Sequence, residues 1–360
     1  MTKTLKSRKK LLIDTLSIQT SSGKEEAMIK YIISFCLKNA PSAKIEVTNN
    51  NVYITKGESN AYPCIVAHTD TVHDIHKFYK VFDNDNCLFG FNAEKGVQVG
   101  VGGDDKVGVW LALEMLKSQD SIKCVFFHSE EIGCVGSRDA NMSWFNDVAY
   151  CLQGDRRGSK DFVNSISGQL YSDSFSEAIL PIITKYGYAE TSGSITDVGQ
   201  LAENGIGIAV ANMSCGYYAP HSDSEIVEFL DASNCLDMII NIVNDLGCVR
   251  YEHSYRDEYS FSDWGDFKGA NKNYWYQDAQ EVMLDSDGNE SCYYCQGELC
   301  KSAFGDDYRY CSDCCSDISC KVEGEDYDQY EDISDNYNGS MEHREIVNSY
   351  LTKTPYYKNK

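Results

Sequence analysis

Four short, uninterrupted apolar runs constrain this chain more than any other feature. They are Cys64-Ile-Val-Ala67, Cys124-Val-Phe-Phe127, Val148-Ala-Tyr-Cys-Leu152 and Ile206-Gly-Ile-Ala-Val-Ala211. Each has the length of a strand and none alternates apolar with polar residues, which marks strands covered on both faces. Helical stretches at 107–117, 137–146 and 174–187 fall between several of them. Strands alternating with helices predict an α/β fold, with a mostly parallel central sheet flanked by helices. Upstream, residues 9–20 read as an amphipathic helix and Val52–Thr55 as a further strand. Ser22-Gly-Lys-Glu25 reads as a capping box opening a second helix, with Met28, Tyr31, Ile32, Phe35 and Leu37 on its apolar side.

In open sheets of this kind, ligands bind beyond the carboxyl ends of the strands. Here those ends lead to His68-Thr-Asp70, His128-Ser-Glu130-Glu131, Gln-Gly-Asp155 and, through a short loop, His221-Ser-Asp223. Gly102-Gly103-Asp104-Asp105-Lys106 adds two carboxylates just before the apolar run Val107–Leu116. Taken singly, each residue has an ordinary explanation. Asp104 could cap a helix, Glu130-Glu131 could be a solvated pair, and Asp155 could pair with Arg156 or Arg157. Taken together they match the donor chemistry of zinc, which binds imidazole nitrogen and carboxylate oxygen and keeps a position open for water in catalytic sites. His68, Asp104, Glu131, Asp155 and His221 supply one bridging acid and two further ligands for each of two ions. Cobalt or manganese suits the same donors. Glu130 is then placed as a general base, and Asp70 as acceptor of the second imidazole N–H of His68.

The segments AHTDTV, GGDDKVG, SEEIGCVGS and APHSDSE, in that order, resemble the motifs of the co-catalytic zinc exopeptidases. That clan includes leucyl-type aminopeptidases, peptidase T-like tripeptidases and glutamate carboxypeptidase-like enzymes. SSGKE and SGSITDVGQLAENGIGIAV are also similar, so the resemblance covers about residues 8–235. It implies a three-layer zinc exopeptidase-like core in which His68 and Asp155 hold one zinc, Glu131 and His221 hold the other, and Asp104 bridges. Glu130 would be the base. Many relatives insert a lid or dimerisation domain between the equivalents of His68 and Asp104 or of Asp155 and His221. Here those gaps hold 35 and 65 residues, short of a typical domain of about 100 residues. The resemblance therefore implies a lid-less catalytic core that hydrolyses an amide bond. The leading expectation is an exopeptidase on short peptides, either an aminopeptidase or a di- or tripeptidase. Rival expectations are a deacylase of N-acyl amino acids and a non-catalytic scaffold. Asp197, in Ser194-Ile-Thr-Asp197, is a candidate anchor for a substrate amino group, or else a loop-capping acid.

The net charge of −23 argues against nonspecific binding to nucleic acid. No apolar run is long enough to span a membrane. The basic start, Met1–Lys10, is followed by Leu11-Leu12-Ile13 and then Asp14, which lacks the pattern of a secretory signal, so a cytoplasmic protein is expected. The expected division is a catalytic domain over 1–248, an acidic Tyr-rich connector over 249–291, a Cys-rich module over 292–320 and an acidic tail over 321–360 with one short helix. Residues 249–360 hold 24 acidic against 11 basic residues and 15 of the 25 tyrosines. Seven of sixteen cysteines crowd into 292–320. Cys292-x2-Cys295-x15-Cys311-x2-Cys314 has the paired spacing of a zinc ribbon, which predicts one structural zinc.

Overall fold

A computed structural model describes residues 2–256 and, beyond them, the backbone of five short strands. The first part opens with α1 (Lys3–Leu16) and α2 (Glu26–Asn39). Strands β1 (Lys44–Thr48), β2 (Asn51–Lys56) and β3 (Tyr62–His68) follow, then a meander of β4 (Tyr79–Asn84), β5 (Cys87–Asn92) and β6 (Val97–Val99). Next come α3 (Gly103–Ser118), β7 (Ile122–Phe127), α4 (Val135–Arg138), β8 (Val148–Arg156), β9 (Asp161–Ser165), α5 (Asp173–Lys185), β10 (Ala189–Ser192) and α6 (Asp197–Glu203). The last elements are β11 (Val210–Ser214), β12 (Tyr217–Tyr218), β13 (Ile226–Glu228) and α7 (Phe229–Leu246).

The main sheet has eight strands in the order β1-β2-β7-β3-β8-β11-β9-β10. Its centre is parallel, β7 to β3 to β8 to β11, while β1, β2 and the β11–β9 pair run antiparallel. β3 and β7 are buried at every residue, so both faces of the sheet are covered. α3 packs on β3, β7 and β8 and is wrapped by α1, α2 and α7; α4 and α6 pack against each other and on the same central strands. α3 is apolar almost all round, as a helix enclosed on every side must be. Its Val107, Val109, Trp110, Leu111, Leu113, Met115 and Leu116 are all fully buried, each worth about 1.5–3 kcal/mol relative to exposure for side chains of this size. Gly154 on β8 lets α3 approach, since a Cβ there would collide with Leu111.

The meander pairs with β13 and β12 in a second sheet, order β12-β13-β5-β4 with β6 beside β5. It takes up the interval between His68 and Asp104. The chain stays on the core past residue 248: Tyr251 exchanges backbone hydrogen bonds with Ala149 and Ala209, and Tyr251 and Tyr255 pack on the core.

Three local expectations need correction. α1 begins at Lys3 because the Thr2 hydroxyl caps it, accepting from the Leu5 N–H at 3.2 Å, and it ends at Leu16 rather than 20. Ser22 does not cap α2; its hydroxyl is committed to Asp70, while Gly23 donates its N–H to Glu25. The stretch 137–146 is broken into the single turn α4 and a 3₁₀ turn, Met142–Phe145, because the Asn141 N–H is taken by the Tyr53 hydroxyl at 3.0 Å.

Residues 260–340 form a second compact unit. Val282–Leu284 pairs antiparallel with Glu290–Cys292, and Leu299–Lys301, Tyr308–Cys311 and Asp317–Ser319 form an antiparallel three-stranded sheet. Cys292 and Cys311 end strands here, whereas Cys295, Cys314 and the short helix expected in the tail 321–360 lie outside the described residues.

Candidate functional site

His68 ends β3, and its imidazole is completely buried. Nδ1 lies 3.1 Å from the Asp70 carbonyl oxygen and 3.3 Å from Asp70 Oδ1, which turns Nε2 the other way. Nε2 faces three carboxylates: Asp104 Oδ1 at 3.1 Å, Asp155 Oδ1 at 3.7 Å and Glu130 Oε2 at 3.8 Å. Asp70 reaches further than its expected partner. It accepts the Ser22 hydroxyl at 2.7 Å and the backbone N–H groups of Glu130 at 2.9 Å and Glu131 at 3.3 Å. One buried carboxylate thus orients an imidazole and the turn that carries both glutamates.

Asp104 sits where Gly102, in the left-handed region at φ 67°, turns the chain into α3. The Asp104–Asp105 peptide bond is cis. The two oxygens of Asp104 diverge, Oδ1 toward His68 and Oδ2 toward His221 Nε2 at 3.5 Å. His221, on the loop after β12, also meets Glu131 Oε2 at 3.0 Å. Two groups of candidate metal ligands result, His68–Asp104–Asp155 and Asp104–Glu131–His221, and within each the donor atoms lie within 4.8 Å of one another. Asp104 belongs to both.

Asp105 turns away from this cluster. Its Oδ2 accepts the His68 N–H at 3.1 Å and its Oδ1 the Gly108 N–H at 2.9 Å, so it ties the end of β3 to the start of α3. Gly108 has no room for a Cβ because the Asp105 carboxylate lies against it. Lys106 does not hold Asp105; its ammonium donates to the carbonyls of Val101 at 3.0 Å and Leu16 at 3.4 Å.

Asp155 is braced by Thr196, whose hydroxyl donates to Oδ2 at 2.9 Å, and by the Tyr217 hydroxyl on Oδ1 at 3.3 Å. Its backbone N–H donates to Asn212, and the neighbouring Arg156 bonds Asp161 rather than Asp155. Asp197 begins α6, fully buried, with Oδ2 accepting from the Gln153 amide at 3.3 Å and Oδ1 without a partner. Glu130 joins neither three-residue group; its Oε1 accepts the Cys134 thiol at 3.4 Å.

The electrostatics of so many buried acids bear on what the site can hold. Burial, then the charge of Asp104, pushes Asp155 up to about 6 and Glu131 up to about 7. Burial raises Glu130 well above the carboxylate range and Asp197 to about 7. Burial opposes charge on the imidazoles, but hydrogen bonds to Asp104 and its neighbours outweigh it, lifting His221 to about 12 and His68 well above its ordinary value. The same imidazoles overcome the burial of Asp104 and hold it well below the carboxylate range. One Nε2 proton cannot satisfy three carboxylates, and Glu131 Oε1 is buried with no partner. Zinc–nitrogen and zinc–oxygen bonds of about 2.0–2.2 Å place tetrahedral ligands about 3.4 Å apart, close to the 3.0–3.7 Å separations across each imidazole. The donor set and its unmet acceptors fit divalent cations.

The five expected ligands, with Glu130 and Asp70, therefore come together at the carboxyl ends of β3, β7 and β8. Sequence reasoning missed the groups that hold them: Ser22, Gln153, Thr196, Tyr217 and Glu225. Ser22, Thr196 and Glu225 lie in the segments SSGKE, SGSITDVGQLAENGIGIAV and APHSDSE, but the Ser22 motif pointed to a helix cap and the other two segments did not show these supporting roles.

This architecture recurs in solved proteins. The aminopeptidase PepT of Bacillus cereus superposes with a TM-score of 0.55 at 11% identity, over 67% of this chain and 98% of its own. A tripeptidase of Staphylococcus aureus gives 0.56 at 11% identity, over 66% and 97%. The fold is that of these two peptidases. A TET aminopeptidase from a marine-sediment Thaumarchaeota archaeon gives 0.50 at 14% identity, over 67% and 97%. The sequence matches no family model and no curated protein. Among the described residues, no helix is long and apolar enough to cross a membrane.

Proposed function

We propose that residues 1–248 form a zinc-dependent exopeptidase that hydrolyses short peptides using two ions and Glu130 as general base. The observation that carries this reading is Asp104, shared between two three-residue donor groups with one oxygen turned to each. His68 and Asp155 would hold one ion, Glu131 and His221 the other. Bound zinc supplies Lewis acidity and lowers the pKa of water. Glu130, 3.8 Å from His68 Nε2 yet outside both groups, would take the proton of the attacking water and deliver it to the leaving amine. Asp70 keeps the His68 ring turned so that Nε2 faces the ions. The unpartnered Oδ1 of Asp197 is suited to an ammonium group, which favours substrates with a free amino terminus over N-acyl amino acids. We assign Cys292, Cys295, Cys311 and Cys314 to one structural zinc in a module over 292–320, joined by the connector 249–291 and followed by the tail 321–360, in a cytoplasmic protein.

The test pairs metal analysis with a substrate panel. The reading expects three zinc per chain, falling to two in the doubly substituted Cys292→Ser/Cys295→Ser protein, and cleavage of di- and tripeptides. Hydrolysis confined to N-acyl amino acids would replace the peptidase with a deacylase. A single zinc lost with those cysteines, and no hydrolysis, would leave a scaffold.

A further inference from the structure

Glu225 is completely buried and makes no contact with the candidate ligands' donor atoms, yet it touches the backbone that carries one of them. Its Oε2 accepts the Gly102 N–H at 2.6 Å and its Oε1 the Asp104 N–H at 3.1 Å. The third partner is His73, whose Nε2 lies 2.7 Å from Oε2. A buried carboxylate is tolerated when its oxygens are satisfied in this way. Glu225 closes the turn that begins at His221. The Ser222 hydroxyl donates to the Ala219 carbonyl at 2.8 Å, the Ser224 N–H donates to that hydroxyl at 3.2 Å, and the Glu225 N–H donates to the Ser222 carbonyl at 3.1 Å. One side chain therefore fastens the loop of His221 to the turn of Asp104. His73 packs against Gly100, where a Cβ would collide with the imidazole Cε1.

Asp104 hangs between two tethers of opposite reach. On the His68 side, Asp105 binds the His68 and Gly108 N–H groups. On the His221 side stands Glu225. The two halves also differ in enclosure: the His68 side chain is 0% exposed and that of His221, at φ 59°, is 35% exposed. The His68 half is held by β3 itself, whereas His221 is carried on a loop.

We propose that Glu225, supported by His73, is a positioning residue that sets the geometry of Asp104 and His221 and thereby the affinity of the His221 half for its ion, leaving the His68 half to Asp105. The inference rests on the two-metal reading. Removing the partner of a metal-site residue typically costs about 10–100-fold in affinity, and here that cost falls on one half.

Cobalt(II) titration of the full chain separates the sites. Thiolate ligation shows as intense near-ultraviolet charge transfer, and nitrogen–oxygen sites as weaker visible bands. The wild type takes up two cobalt ions in nitrogen–oxygen sites. In Glu225→Gln, an isosteric change that turns an NH₂ toward N–H donors, one dissociation constant stays within about threefold and the other rises about tenfold or more. His73→Ala weakens the same ion by a smaller factor. A general loosening of the fold would move both constants. A wild type with one nitrogen–oxygen cobalt overturns the two-metal reading and this inference with it. A wild type with two, whose Glu225→Gln variant weakens both alike or neither, overturns the positioning role alone. Should Glu225→Gln fail to fold, His73→Ala decides, and an unchanged ratio of the two constants refutes the proposal.

Discussion

Glu130 and Glu131 are neighbours in sequence, and the proposed chemistry assigns them opposite failures. Glu131 presents Oε2 to His221 at 3.0 Å and belongs to a donor group. Glu130 stands 3.8 Å from His68 Nε2, belongs to neither group and accepts a thiol from Cys134. Glu130→Gln keeps the volume and an oxygen for Cys134 while removing the base. Positioned general bases contribute about 10²–10⁴-fold, so turnover should fall by that factor, equivalent to about 2.7–5.4 kcal/mol of barrier at 1.36 kcal/mol per decade. Metal content should not change. Glu131→Gln removes an ionised ligand, and its ion should be lost along with activity, by more than the 10–100-fold typical of outer partners. The assay is metal content by atomic emission after gel filtration, alongside initial rates on a tripeptide. Wild-type turnover in Glu130→Gln would show that the base lies elsewhere. Loss of an ion from Glu130→Gln would make it a ligand, and the two glutamates would exchange roles.

Asp104→Ala should lose both core ions and all activity, whereas Asp105→Ala, whose carboxylate binds only backbone N–H groups, should retain at least one; equal loss in metal analysis would show the pair misassigned. Metal uptake by the metal-free chain should strengthen as pH rises from about 5 to about 8, because ligands must shed protons to bind and His68, His221, Glu131 and Asp155 all hold theirs above the ordinary range. Calorimetry in buffers of different ionisation enthalpy checks this, and a flat profile would contradict it. Leu111→Ala, fully buried against Gly154 on the strand of Asp155, should cost about 2–5 kcal/mol in denaturant unfolding.

The candidate ligands were legible in the sequence because strand ends in a parallel sheet converge on one edge, and apolar runs mark strand ends. His68, Glu131 and Asp155 needed only that rule. Asp104 needed the paired glycines and the apolar helix after it. Their supports were hidden because each acts on a backbone group far away in sequence. Nothing near Glu225 reveals that its partners are the N–H groups of residues 102 and 104, and nothing near Ser22 reveals Asp70. A continuous apolar run located α3, but the helix expected over 137–146 was overruled by a tertiary hydrogen bond from Asn141 to Tyr53. The meander β4–β6 was passed over because β4 and β6 are largely exposed and β5 only half buried, so none carries a continuous apolar run.

The donor atoms come from residues 68, 104, 131, 155 and 221, on five separate stretches of chain. No fragment of the nascent polypeptide ending before His221 holds a complete pair of donor groups, and β3 pairs with β7 and β8 only after long loops have closed. Such non-local pairing is slow, since chain entropy is lost before contacts compensate for it. On the two-ion reading, an ion would not template this domain as it templates a zinc finger; it would be captured by a chain that has already folded. Loading then stabilises the native state by mass action, in proportion to the logarithm of free metal concentration. On the two-ion reading, a cell starved of metal would accumulate chains whose catalytic domain is folded but inactive and remains competent for rescue.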